Sequence, residues 1–300
     1  MREDISFPAD DGVTLRGWFY RPDGATGPTP TVVMAHGFSA TKEMHLDDFA
    51  EVFADAGLSV LVYDNRNLGD SDKPVPGEID PWQQINDYRA AITWASLRDD
   101  VDADRIGIWG SSYSGAHVLV VAAIDRRVKC VVSQVPLISG SENARRLIRS
   151  DHFAALRQAL DADRVARYQG EKPGMIPVTW EKSPDEQCVL PTADTHDFFF
   201  GPIRERAKTW RNEVTLRSVD LFLAYEPGFY LPLISPTPLL LVVAAGDHLT
   251  PADIALKAFE QAAEPKKLLL LPGGHFDAYV GDAFKQSSPV QRDWFLTHLT

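Results

Sequence analysis

A serine hydroxyl is a weak nucleophile until a base takes its proton, so a serine counts where the chain can hold it on a sharp turn within reach of a histidine. Trp109-Gly110-Ser111-Ser112-Tyr113-Ser114-Gly115 offers such a turn. It stands between an apolar run ending at Trp109 and a helix-like stretch through Ala116, Leu119, Val120 and Ala123. Small residues two before and two after the projecting serine let strand and helix approach each other closely. Gly110 and Ser114 fill those places and select Ser112. The spacing departs from plain G-x-S-x-G, because Ser114 replaces the second glycine and Gly115 follows one step later. Taken alone, such a turn could equally cap a structural helix.

Two downstream segments change that weighting. The run Leu239–Ala245 ends in Gly246-Asp247-His248-Leu249-Thr250-Pro251, and Lys267–Leu271 ends in Pro272-Gly273-Gly274-His275-Phe276. Serine, aspartate and histidine, each just past a strand's C-terminal end, follow the chain order of a nucleophile, its orienting acid and its base on a parallel sheet. An imidazole titrates near neutral pH, so His275 can accept the Ser112 proton and return it to a leaving group. Asp247 would fix the tautomer of His275 and stabilise its imidazolium. Asp247 could instead N-cap the helix entered at Pro251, and is expected to combine the two tasks only imperfectly.

Ala35-His36-Gly37-Phe38 follows the first parallel strand. Backbone N–H groups there and just after the nucleophile can face a developing oxyanion, which points to Phe38 and Tyr113. His36 reads as a packed, hydrogen-bonded residue of that loop. His248 competes for the role of base, but a sequence neighbour of Asp247 cannot easily make the contact that orients it. His45, His117, His152, His196 and His298 lie away from the expected site. No pair or trio has zinc-ligand spacing, and no G-x-G-x-x-G or P-loop occurs, so neither metal nor cofactor is expected.

Holding such residues in register requires a sheet. Val13–Tyr20 alternates and, with Asp4–Pro8, predicts an antiparallel hairpin. The runs Thr31–Ala35, Leu58–Tyr63, Arg105–Trp109, Val128–Val135, Pro238–Ala245 and Lys267–Leu271 are continuous and apolar, as strands covered on both faces are. Helical stretches Glu43–Ala56, Pro81–Leu97, Tyr113–Ile124 and Pro251–Ala263 separate them. The rhythm lapses over about a hundred residues, where Ser141–Tyr168 and Gly201–Leu223 read as helices around a Pro- and Thr-rich middle, Gly170–Thr195. The expected organisation is a core of residues 1–136 and 236–300 carrying an inserted, mainly helical cap, residues 137–235, with no strand in it.

Composition sets outer limits. The 300 residues are 44% hydrophobic and 24% charged, which is ordinary globular usage. A net charge of −12 speaks against nucleic acid or an anionic membrane surface as partner. No secretory h-region or long apolar run is present, so a cytoplasmic protein is expected. Cys130 and Cys188 read as free thiols. An apolar face of the cap could serve a homodimer, although nothing in the sequence demands one.

His36-Gly37-Phe38-Ser39, the stretch from Tyr63 to Asp72, the Gly110–Gly115 turn, Pro236-Thr237-Pro238 with the Asp247 loop, and Gly273-Gly274-His275-Phe276 together resemble the α/β-hydrolase superfamily. Within it the chain is similar to X-Pro dipeptidyl-peptidase-like and dienelactone-hydrolase-like proteins, and to thiohydrolases and polyketide transferases. The resemblance implies an α/β-hydrolase fold, a mostly parallel central sheet flanked by helices. It implies a serine hydrolase that cleaves a small-molecule carboxylic ester or thioester through an acyl-enzyme on Ser112. An acyltransferase using the same intermediate, or a non-catalytic ligand-binding member of the fold, are the alternatives. Asp64 and Arg66 would tie down loops at the edge of the site. Aromatic residues of the cap, Phe198–Phe200, Trp210, Phe222, Tyr225, Phe229 and Tyr230, suit an acyl pocket or the cap's own core.

Overall fold

Residues 1–300 are described by a computed structural model. Strands are β1 (Arg2–Pro8), β2 (Thr14–Tyr20), β3 (Thr29–Ala35), β4 (Ser59–Tyr63), β5 (Val101–Ser111), β6 (Val128–Gln134), β7 (Met175–Ile176), β8 (Val214–Thr215), β9 (Leu239–Ala244) and β10 (Lys266–Leu271). Helices are α1 (Leu46–Asp55), α2 (Pro81–Ser96), α3 (Tyr113–Ile124), α4 (Gly140–Leu147), α5 (Phe153–Tyr168), α6 (Ala193–Phe200), α7 (Leu216–Leu223), α8 (Ala252–Gln261) and α9 (Gly281–Leu299). Eight strands form one sheet in the order β1-β2-β4-β3-β5-β6-β9-β10. The β1–β2 and β2–β4 pairings are antiparallel and every other one is parallel.

The continuous apolar runs have the expected cause. Side chains of a strand alternate between faces, and here both faces are covered. Val33, Ala35, Ile106 and Ile108 enter a core shared with Tyr88, Ala91, Leu119 and Val120 of α2 and α3. Val32, Met34 and Trp109 enter a second core with Phe49 and Phe53 of α1 and Phe295 of α9. The start of α2 is fixed locally: Pro81 occupies its first turn, and the Asp80 carboxylate accepts from the N–H groups of Trp82 and Gln83.

The sequence misplaces several elements. Leu46, not Glu43, begins α1, because His45 sits in the left-handed region at φ 66° and breaks the helical path before it. β5 starts at Val101, four residues early. α8 is shorter at both ends than Pro251–Ala263. α9 was not foreseen, since it carries an internal Pro289 and a weak apolar stripe. It packs on the sheet where β5 has no side chain: a Cβ on Gly107 would lie 2.9 Å from the Phe295 ring.

Residues 137–235 depart furthest. The stretch Ser141–Tyr168 is broken between α4 and α5 by a 3₁₀ turn at Ser150–His152. The stretch Gly201–Leu223 is not one helix but a 3₁₀ turn (Pro202–Glu205), a loop, β8 and α7. The two-residue strands β7 and β8 pair antiparallel, in a region expected to hold no strand. Tertiary contacts override local preference here: Asn212 hydrogen-bonds both the N–H and the carbonyl of Thr179, and Thr215 N–H donates to Gly77 across to the core. No helix is long and apolar enough to cross a membrane.

Candidate active site

Ser112 connects β5 to α3 with φ 60° and ψ −118°, a region that costs a non-glycine residue about 1–3 kcal/mol and persists only where the surroundings enforce it. They do. Its N–H donates to Gln134 of β6 at 2.8 Å, and its carbonyl accepts from Ala116 at 3.1 Å and Leu137 at 3.2 Å. A Cβ on Gly110 would meet the Ser114 carbonyl at 2.2 Å, so only glycine lets β5 and α3 come this close. The departure at Ser114 has a physical reason. Tyr88 Oη donates to Trp109 O (2.6 Å) and accepts from Ala35 N–H (2.9 Å), so its proton is committed and Ser114 Oγ, 3.0 Å away, donates to it. One tyrosine of α2 thereby pins the ends of β3 and β5 and the start of α3.

The residues selected from sequence converge. Ser112 Oγ lies 3.0 Å from His275 Nε2, and His275 Nδ1 lies 2.7 Å from Asp247 Oδ2. His275 and Asp247 are both buried. An ionised Asp247 accepts only, so the hydrogen-bond network puts the imidazole proton on Nδ1 and leaves the Nε2 lone pair for Ser112. The loop carrying Gly37 passes against Ser112: a Cβ there would sit 2.8 Å from Ser112 Cβ. Neither the Phe38 nor the Tyr113 N–H donates to a backbone acceptor in the loops and caps around it.

Asp247 corrects the expectation that it could serve helix and histidine only imperfectly. Its two oxygens divide the work. Oδ1 accepts from Leu249 N–H (2.8 Å) and Thr250 N–H (2.7 Å), shaping the turn before α8, while Oδ2 faces His275. The sequence reading missed Thr250. Its Oγ1 lies 2.8 Å from Asp247 Oδ2, 3.0 Å from Val135 O and 3.2 Å from His275 Nδ1. Val135, a β-branched residue at φ 37°, is held off ordinary backbone geometry at this point. A hydroxyl three residues after the acid was the only available signal.

The other histidines take structural places. His36 is buried, with Nδ1 3.0 Å from Gly37 O and Nε2 accepting Asn65 N–H at 3.0 Å, and burial lowers its pKa. His248 is exposed and does not line the cavity at Ser112. His117, inside α3, spends one nitrogen on Tyr225 Oη (3.0 Å) and the other on Gln84 Oε1 (2.9 Å). Burial pushes its imidazole down to about 3 from an ordinary value of 6.5. The unfolded chain therefore takes up a proton near pH 6.5 that the native state refuses. The associated stability is complete above that pH and is lost as pH falls from about 6.5 towards 3, at about 1.4 kcal/mol per pH unit. In urea titrations at pH 7 and pH 5, the wild type loses about 2 kcal/mol more on acidification than His117→Asn does. Equal losses would contradict this account of His117.

Three carboxylates, Glu43, Asp64 and Asp70, approach one another closely enough to hold a cation. The cation there is Lys42, whose Nζ donates to them at 2.8, 2.7 and 2.6 Å. Asp64 also accepts the N–H groups of Lys42 and Asp70, and Arg66 bridges Asp11 and Asp87. Both act on the loops beside the site, as the sequence indicated.

Above Ser112 is a cavity of about 40 Å³ with a mostly apolar lining. Residues 137–235 supply Leu190, Phe198, Phe199 and Phe222 to it, facing Phe38, Met44 and Phe276 from the rest of the chain. The aromatic residues foreseen for the pocket divide. Phe198 stacks on Phe276 at 4.3 Å at the cavity wall, whereas Tyr225 is tied to His117 and Phe229 is largely exposed.

The model of the family described as X-Pro dipeptidyl-peptidase (S15 family) matches residues 11–277. A thiohydrolase of Eupenicillium brefeldianum is 30% identical over 97% of this chain and 92% of its own. A polyketide transferase, grgF, of a Penicillium species is 32% identical over 94% of this chain and 92% of its own. The crystal structure of the α/β hydrolase GrgF from Penicillium sp. sh18 superposes with a TM-score of 0.85 at 30% identity, covering 100% of this chain and 99% of that one.

Proposed function

Because this chain belongs to the X-Pro dipeptidyl-peptidase (S15) family and has the α/β-hydrolase fold, we propose that it is a serine hydrolase of carboxylic esters or thioesters, acting through an acyl-enzyme on Ser112. The observation that carries this reading is the continuous relay from Ser112 Oγ through His275 to Asp247, at 3.0 and 2.7 Å, built on a strained turn. His275 Nε2 removes the hydroxyl proton as Ser112 attacks the carbonyl. The N–H groups of Phe38 and Tyr113 take the charge that develops on the carbonyl oxygen. His275 then gives its proton to the leaving alcohol or thiol, and Asp247 stabilises the imidazolium between the two transfers. A second cycle with water as nucleophile releases the acid.

Residues 137–235 act as a cap whose aromatic side chains roof the acyl group. The small apolar cavity, walled in part by Phe198 and Phe199, favours short acyl chains and sheds water. Exclusion of water also supports the second reading, transfer of the acyl group to an alcohol or amine, and one relative is named a polyketide transferase. A panel of p-nitrophenyl esters from acetate to decanoate, with matched acyl thioesters and with or without an added alcohol, separates the two. Hydrolysis is expected to be fastest with the acetyl and butyryl members and at least tenfold slower with decanoate. Product formed only when the alcohol is supplied would make the protein a transferase, and a preference for decanoate would contradict the account of the cavity.

A further inference from the structure

The cavity contains few polar atoms, and nearly all of them are already engaged. Ser112 and His275 bond each other, both nitrogens of His36 are occupied, Thr250 Oγ1 faces Asp247 and Val135, and Tyr279 Oη is paired with Ser111. The exceptions are Tyr113 Oη, which has no partner, and Asn143. Asn143 lies on α4, only 3% exposed, and lines the same cavity. Its Nδ2 donates to Leu249 O at 3.0 Å, and because a carbonyl can only accept, this bond settles which end of the amide is which. Oδ1 is therefore turned away from Leu249. It receives no hydrogen bond from any donor in the protein.

Asn143 is also held rigidly and near the chemistry. Its own N–H donates to Ser139 O at 3.0 Å, and the Leu249 that anchors its amide gives its N–H to Asp247. The next residue, Thr250, reaches within 3.2 Å of His275 Nδ1. The free acceptor thus belongs to a residue that lines the same small cavity as Ser112 and His275. An amide oxygen at a mostly apolar cavity wall, pre-oriented by a neighbouring carbonyl, is satisfied only when a donor meets it, and a site built for a donor discriminates strongly against a ligand that lacks one.

Resting on the acyl-enzyme reading of Ser112, we propose that Asn143 is a specificity determinant whose Oδ1 accepts a hydrogen bond from a hydroxyl borne on the first carbons of the acyl group. The preferred substrate class is then hydroxyacyl esters or thioesters over unsubstituted ones.

The test compares p-nitrophenyl butyrate with its 2-hydroxy and 3-hydroxy counterparts on wild type and Asn143→Leu. Wild type is expected to favour one hydroxylated isomer by about tenfold or more in kcat/KM, and Asn143→Leu to bring that ratio to one or below. Using the ratio cancels any general loss caused by loosening Leu249. Calorimetric binding of butyrate and the two hydroxybutyrates to Ser112→Ala gives a readout that needs no turnover, and the same preference is expected there. No preference in wild type, or one that survives in Asn143→Leu, overturns the role of Asn143 and leaves the acyl-enzyme reading standing. A binding preference without turnover of any ester by wild type overturns the acyl-enzyme reading and leaves the role of Asn143 standing.

Discussion

Ser112→Ala is expected to lower kcat for p-nitrophenyl butyrate by about 10,000-fold or more, with the thermal unfolding transition unchanged within about 2 °C. Alanine keeps the Cβ and the same backbone strain, and the bonds from Ser112 N–H to Gln134 and from Ala116 and Leu137 to the Ser112 carbonyl involve no side-chain atom. What disappears is the only hydroxyl that His275 Nε2 touches in the protein. Because members of such a relay act as a unit, His275→Ala should cost about as much, and the double variant little more than either. Activity retained above about one per cent in purified Ser112→Ala would place the nucleophile elsewhere.

The second large effect is expected for Asp247→Asn, about 10,000-fold in kcat at neutral pH. The division of labour between the two oxygens makes this substitution informative. Asparagine can keep its oxygen where Oδ1 accepts Leu249 and Thr250 N–H, so the turn before α8 is preserved. Its amide nitrogen then replaces the oxygen that stands 2.7 Å from His275 Nδ1. A donor there can only meet an unprotonated Nδ1, so the imidazole proton moves to Nε2 and faces Ser112, where a base is needed. The expected signature is a collapse of kcat with KM changed by less than about threefold and wild-type solubility. A loss of less than about tenfold would mean that the tautomer of His275 is set by another group, with Thr250 Oγ1 the neighbour within reach.

Much of this site was legible because its members are placed by strand ends. The apolar runs ending at Trp109, Ala245 and Leu271 locate three loops on one edge of a parallel sheet, and each loop holds one residue of the right type. The loop carrying Phe38 was legible for the same reason. What sequence could not supply were contacts made at long separation. Ser114 looked like a blemish in the turn until Tyr88, 26 residues earlier, gave its hydroxyl a partner. Thr250 carries no signature of its own, because its place depends on the carbonyl of Val135, 115 residues away. Residues 137–235 read as two helical stretches around a Pro- and Thr-rich middle without a strand, yet β7 and β8 exist because Asn212 clamps Thr179 and Gly77 receives Thr215 N–H. α9 escaped notice because the groove it fills is made by the missing side chain of Gly107.

The most direct test of the acyl-enzyme account is covalent labelling by a fluorophosphonate, whose phosphorus is attacked by an activated serine and then stays attached. One equivalent should add to the wild-type chain at pH 7.5, with the modified peptide carrying the mass on Ser112, and Ser112→Ala should remain unlabelled. Failure of the wild type to react, or equal labelling of Ser112→Ala, would contradict the assignment of Ser112 as nucleophile.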